Sequence, residues 1–302
     1  MGPEAFNILY QFGVNLAFLL FASLGLIVIL GMINIINLAH GEFIMLGAYT
    51  FTFSYHAGMP FLLALVVATL AVGLFGMVVE RLAIRRFYGD KLIALVATFG
   101  LSLILSQGTL LLFGPSEKSV PLPLGGFSYG PFSYSVYFLL LPVAALALIA
   151  ALGLFFYRTR LGMEMRATMQ NPEMARALGV RVDFIYSLTF GLGAGLAGLT
   201  GALYAPTTTV VPLFGQSFIA PAFITVVIGG GVNPLLGALS SGGFLSVITT
   251  PLSSAIGTYA ARIGLMLAAL IIIRLLPDGF SAYLRELRAR RGVRQARQTG
   301  DD

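Results

Sequence analysis

The chain has 302 residues, 58% of them hydrophobic and only 10% charged, with a net charge of +6 and no cysteine. A soluble domain carries roughly 25% charged residues, so this composition excludes one, and the missing cysteines exclude disulfides, thiolate metal sites and a cysteine nucleophile. Apolar runs of 17 to 25 residues recur along the length, and they are continuous rather than alternating, which excludes a membrane barrel. The expected fold class is an all-α polytopic membrane protein with about eight transmembrane or partial helices. MGPEAFN, the first seven residues, lacks the basic stretch of a cleavable signal.

From Phe12 to His56 the chain runs 45 residues with neither proline nor polar loop. At 1.5 Å per residue that is about twice a bilayer, so a break is required. The polar place for it is NIINLAHGE, 34 to 42. Asn34, Asn37, Gly41, Met45 and Ala48 fall on one stripe at 100° per residue, giving a small, polar face. His40 and Glu42 point to nearly opposite sides of an unbroken helix and meet only if Gly41 distorts it. Ionisable groups at membrane depth are functional candidates by default, so Asn34, Asn37, His40, Gly41 and Glu42 are candidates for the substrate path; the plainer alternative makes His40 and Glu42 structural anchors. The pair has the wrong spacing to ligate zinc from one helix face, no H-E-x-x-H occurs, and no metal or cofactor is expected.

Arg81, Arg85, Arg86 and Lys91 form a first basic loop, followed by a span from Leu92 to Phe113. Gly114 to Ser135 holds four prolines and only Glu117 and Lys118 as charges, and Tyr137 to Tyr157 spans again. The loop that follows, 158 to 184, carries Arg158, Arg160, Arg166, Arg176 and Arg181. Within it Asn171 is placed to cap a short helix with Pro172 at its first position and Gly179 as its stop. A short cytoplasmic helix between spans is either a docking element for another subunit or a solvated surface helix.

Ile185 to Tyr204 is a span with Gly191, Gly195, Gly198 and Ala202 at three- or four-residue spacing, which lets helix backbones approach closely. The next apolar stretch, 218 to 250, is interrupted by Gly229, Gly230, Gly231, Val232, Asn233 and Pro234. Each half is short for a crossing, so the expectation is a tight hairpin or a re-entrant pair broken at membrane depth, with an ordinary turn at the cytoplasmic surface as the alternative. A last span, Ile263 to Leu276, precedes a basic tail, 285 to 302. Fifteen of the eighteen basic residues lie in the two loops and the tail, so these are placed inside; Gly114 to Ser135 then lies outside, and the N-terminus lies outside if the break at 34 to 42 separates two full spans, making three crossings before Arg81, its side being open if the break leaves a half-span. The domain division is one transmembrane domain, 1 to 284, and the tail.

GMINIINLAHGEFIMLGAY (31 to 49), ERLAIRR (80 to 86), LIALVATFGLSLILSQ (92 to 107) and MRATMQNPEMARALGVRVDFIYSLTFGLGAGLAGLTGAL (165 to 203) resemble the LivH/LivM/urea-permease group of bacterial ABC importers. The likeness is collinear over almost the whole chain and closest to LivH-type permeases of branched-chain amino acid importers. It implies a non-catalytic subunit of the bacterial inner membrane, paired with a LivM-like second permease, two ATPase subunits and a periplasmic amino-acid-binding protein, with no nucleic acid involved. It also makes the loop holding Arg166, Asn171, Glu173, Ala175, Ala177, Leu178 and Gly179 similar to the coupling loop that fits a groove on the ATPase. Two places depart from the family pattern: a G-G-x-G-S-x-x-G run becomes Gly229 to Gly237 with Asn233-Pro234, and Arg-Pro-x-Gly becomes Arg274 to Gly279. Both leave the substrate open between branched-chain amino acids, other apolar amino acids, and urea or short amides. A self-sufficient channel or secondary carrier is the competing class.

Overall fold

The computed structural model describes residues 2–33, 35–117, 119–230, 233–276 and 279–282. Asn34, Gly231, Val232 and the basic tail lie outside the described residues. The described residues are mostly helical, as an oily sequence in a medium without water must be, because only a helix satisfies its backbone polar groups within the segment. α1 (Pro3–Ile33), α3 (Phe61–Leu82), α4 (Lys91–Phe113), α5 (Val136–Arg158), α8 (Val182–Tyr204), α10 (Pro234–Ala255) and α11 (Thr258–Leu275) are long and apolar enough to cross a bilayer. α2 (His40–His56) and α9 (Gln216–Gly229) are shorter, at 17 and 14 residues. Two small helices, α6 (Arg160–Gln170) and α7 (Pro172–Ala177), fill the second basic loop.

Sidedness follows from contacts. At the start of α1, Phe6 packs edge-on against Tyr129 and Tyr134, and Tyr10 Oη donates to the Ser135 carbonyl at 3.2 Å. Those partners belong to a hairpin of β1 (Gly126–Tyr129) and β2 (Phe132–Ser135), in register from Gly126 opposite Ser135 to Tyr129 opposite Phe132. Gly130, at φ +63°, supplies the left-handed residue of the two-residue turn. The N-terminus therefore shares a face with the proline-rich segment, opposite the basic loops. The far end of α1 reaches the other face, where Gly31 meets Pro234 at the start of α10.

α8 is the axis of the bundle, packed on α1, α2 and α3. The expected glycine contacts are there, and they extend round the helix. A Cβ at Gly191 would lie 2.4 Å from Met77, at Gly193 2.8 Å from the Gly25 carbonyl, at Gly198 2.7 Å from Val72, and at Gly201 1.8 Å from the Ile44 carbonyl. Gly193 and Gly201, which the three- and four-residue spacing does not single out, are as tightly placed as the rest. α4 and α5, with only 17% of their apolar windows buried, form the periphery.

The bundle contains an internal two-fold that the amino-acid sequence conceals. α1 to α4 and α8 to α11 follow the same order with opposite sense: α1 lies on α10 as α8 lies on α3, and α9 lies on α1 as α2 lies on α8. Two reciprocal glycine contacts mark the relation. Gly25 and Gly193 each face the other's carbonyl, and so do Gly41 and Gly215. This is an inverted repeat, with α5 to α7 as its connector.

Candidate functional site

The break in the first long stretch falls where the polar residues are. α1 ends at Ile33, residues 35–37 are irregular, and α2 begins at His40. Its depth is fixed by α4: the Leu38 amide donates to Thr98 Oγ1 at 3.2 Å, while the Tyr49 and Phe53 rings lie against Phe113 at the other end. Thr98 is seven residues into α4, so α2 begins about 10 Å above the basic face. The chain crosses this membrane layer partly as irregular backbone, buried within protein as such backbone must be.

Asn37 and His40 are fully buried and Glu42 is 2% exposed. Asn37 Oδ1 accepts from the Ala39 amide at 3.1 Å, closing the turn into α2. His40 Nε2 lies 2.9 Å from the Ala22 carbonyl of α1, whereas Glu42 faces Ser102 of α4. The two diverge, as an undistorted helix requires. Gly41 lies between them at the crossing of the two half-helices: a Cβ on Gly215 would lie 1.7 Å from its carbonyl oxygen. α9 thus begins at the level where α2 begins and runs back to the basic face. Asn37 Nδ2, His40 Nδ1 and Glu42 Oε2 have no hydrogen-bond partner among the described residues.

The second break is of another kind. Gly230 takes φ +76° as the cap of α9, Asn233 Oδ1 accepts from the Leu236 amide at 3.3 Å, and Pro234 opens α10. Gly229 and Gly237 pack backbone to backbone. Both helices thus end at capped residues on either side of Gly231 and Val232, which favours the surface turn of the alternatives, and α10 at 22 residues is a full span rather than a short half. The sequence suggests otherwise because Pro251, which the helix absorbs, reads as its end. The turn borders a cavity of about 90 Å³ shared with Gly31, Tyr157, Arg166 and Met169. Arg166 Nε donates to the Phe156 carbonyl at 3.1 Å and its guanidinium covers the Tyr157 ring at 4.7 Å. The foot of α5, the second break and the basic loop therefore meet at one place.

In that loop Thr159 caps α6, and Asn171 Oδ1 accepts from the Met174 amide at 3.0 Å to cap α7. Gly179, at φ +87°, reverses the chain. Ala175 turns inward at 3% exposed, while Met174 and Leu178 stand out at 58% and 78%. Glu173, Ala177 and Gly179 are exposed as well. Arg176 reaches Asp183 at the start of α8, 3.7 Å away.

A strut that motif reading passes over joins the feet of α3 and α8. Glu80 is fully buried and accepts from Arg85 Nε at 3.1 Å, Arg85 Nη2 at 3.2 Å, Tyr88 Oη at 2.6 Å and Ser187 Oγ. Arg85 Nη2 also donates to the Asp183 carbonyl at 2.8 Å. The hydrogen bond from Arg85 to Glu80 holds the guanidinium above its ordinary range, and burial, then Glu80, pushes the Tyr88 hydroxyl well up. The available signal was a lone acid, Glu80, at the end of an otherwise apolar span.

Residues 5–276 match the family described as branched-chain amino acid transport system, permease component. The chain is 31% identical over 243 residues to the high-affinity branched-chain amino acid transport system permease protein BraD of Pseudomonas aeruginosa, covering 74% of this chain and 78% of the relative. It is 29% identical to LivH of Escherichia coli over 276 residues, 85% of this chain and 89% of LivH. LivM of Escherichia coli is similar at 26% over 307 residues, 91% and 71% of the two chains. No solved structure matches the chain. Its relatives are transport permeases rather than enzymes, its spans make it a multi-pass protein of the bacterial inner membrane, and by the match over nearly its whole length the chain belongs to the branched-chain amino acid permease family.

Proposed function

We propose that the chain is the membrane-spanning permease subunit of an ATP-driven importer for branched-chain or other apolar amino acids. It works with a second, LivM-like permease, two ATPase subunits and an extracytoplasmic amino-acid-binding protein. The observation that carries this reading is α7. It is a short helix beyond the bilayer; Met174 on it and Leu178 at its C-cap are exposed, while Ala175 is buried and Arg176 reaches Asp183 of α8. An exposed apolar pair on a capped, anchored helix suits a groove on an ATPase, and force applied there reaches α8, on which α1, α2 and α3 all pack.

The crossing of the half-helices at Gly41 and Gly215 is the proposed gate. Asn37, His40 and Glu42 each keep an unused donor or acceptor there, and moving one repeat against the other would free those atoms for the ammonium and carboxylate of an amino acid. Half-helices meeting at mid-depth are also built into secondary carriers, which makes a self-sufficient carrier the second reading; urea or a short amide is the alternative cargo.

The test is uptake of labelled leucine by cells expressing the chain with its neighbouring subunits, competed by isoleucine, valine or urea. Met174→Asp and Leu178→Asp should each lower uptake at least about tenfold, the scale of a charge placed in an apolar contact, at unchanged amounts in the membrane. Undiminished uptake by both variants would leave the self-sufficient carrier, and competition by urea alone would reassign the cargo.

A further inference from the structure

Between the feet of α3 and α8 lies a second cavity, about 690 Å³, on the basic face. Four arginines line it: Arg81 and Arg85 from α3 and the turn after it, Arg176 from α7, and Arg181 just before α8. Their partners are unequal. Arg85 is neutralised by buried Glu80, and Arg176 faces Asp183 across 3.7 Å of largely exposed space. Among the described residues Arg81 has no carboxylate within ion-pair distance, and Arg181 lies near the Phe184 ring, its guanidinium 5.7 Å from the centroid. The α8 N-terminus enters the same cavity with Asp183 already on its first turn, so that terminus has an anion of its own and the arginines carry the site.

Besides the arginines, Asp183 and Ser187 line the cavity, Asp183 facing Arg176 and Ser187 turned to Glu80, and the remaining walls are apolar. Val78 and Phe184 line the cavity and are both about half exposed. Above Val78, Leu74 and Leu70 continue an exposed stripe at four-residue spacing along α3. Leu70 to Val78 rises about 12 Å, close to the hydrocarbon depth of one leaflet, roughly 15 Å. Two unneutralised guanidiniums at the foot of a lipid-depth apolar stripe, on the face that the arginine distribution makes cytoplasmic, match an anionic phospholipid in both its parts.

We propose that this cavity binds the phosphate headgroup of an anionic phospholipid of the inner leaflet, with Arg81 and Arg181 as its main ligands and an acyl chain along Leu70, Leu74 and Val78. A bound headgroup would join the foot of α3 to the base of α7 through Arg176, beside the proposed coupling helix. The lipid site itself does not depend on what the permease carries or on what drives it.

The experiment is native mass spectrometry of the full chain purified with its co-purifying subunits. It is titrated with phosphatidylglycerol, with phosphatidylcholine of the same chains, and with inorganic phosphate. The expected result is a retained phosphatidylglycerol that phosphatidylcholine does not displace. Arg81→Gln with Arg181→Gln should weaken it roughly thirtyfold, about tenfold or less for each charge lost, and Arg81→Lys with Arg181→Lys should restore much of it. Arg160→Gln, in the same loop but outside the cavity, should leave it unchanged; size-exclusion profiles matching the wild type exclude misfolding. Equal retention of both lipids, or a preference surviving the double Gln variant, overturns the proposal. Retention of free phosphate without lipid preference reassigns the cavity to a soluble anion. Retention by the isolated chain but not by the assembly means that a subunit covers the site, and overturns it equally.

Discussion

Glu80 and Arg85 meet where the membrane ends, so neither is fully hydrated and each depends on the other. Removing the carboxylate would leave a guanidinium, a phenol and a hydroxyl without their shared acceptor. Glu80→Ala should therefore destabilise the purified chain by about 2–4 kcal/mol, below the largest values for buried pairs because Arg85 is partly solvated. Thermal unfolding in detergent checks this, and an unchanged midpoint would mean that water replaces the carboxylate. Glycines give the complementary experiment, since their cost depends on where a Cβ would go. Gly201→Ala must displace the Ile44 carbonyl, and Gly243 on α10 has nothing within 4 Å. The first should cost about 3 kcal/mol or more through forced separation of α2 and α8. Gly243→Ala should be neutral to slightly stabilising, as expected when alanine replaces glycine within a helix.

Elements show which residues advertise their role and which do not. Asn171, Pro172 and Gly179 could be read directly, because capping chemistry is local and α7 starts and stops where those residues require. The polar break at 34 to 42 was legible by length alone, since no helix of 45 residues fits a bilayer. Whether the break at 229 to 234 is a membrane-depth break or a surface turn stays open in the sequence, because depth is set by neighbours such as Pro234 against Gly31 and not by composition. Glu80 was passed over for the same reason: its partner Ser187 is 107 residues away. Position also decides how α7 can be tested. Ala175 is buried on the inward side of α7, so Ala175→Arg should unsettle the loop itself and lower thermal stability, whereas Leu178→Asp should alter uptake with the melting profile intact. If both variants lost uptake and stability together, α7 would be a folding element and not a point of contact.

At the scale of the whole molecule the inverted repeat depends on parity. α1, then 35–56, then α3 must each cross for the N-terminus to share a face with the β1–β2 hairpin, and only then do α8 and α9 retrace α1 and α2 in the opposite sense. The absence of cysteine in the chain makes this directly measurable, because any single cysteine introduced is the only thiol. Glu4, Ser128 and Arg160 are all exposed, so replacing each leaves the bundle alone. Glu4→Cys and Ser128→Cys should react with a membrane-impermeant maleimide in intact spheroplasts. Arg160→Cys should react only after permeabilisation, because the arginine-rich loops are retained inside. Labelling of Glu4→Cys together with Arg160→Cys would mean that 35–56 enters and leaves on one face. Two crossings, not three, would then precede Arg81, the relation between Gly41 and Gly215 would no longer be a two-fold, and a gate built from two opposed half-helices would lose its basis.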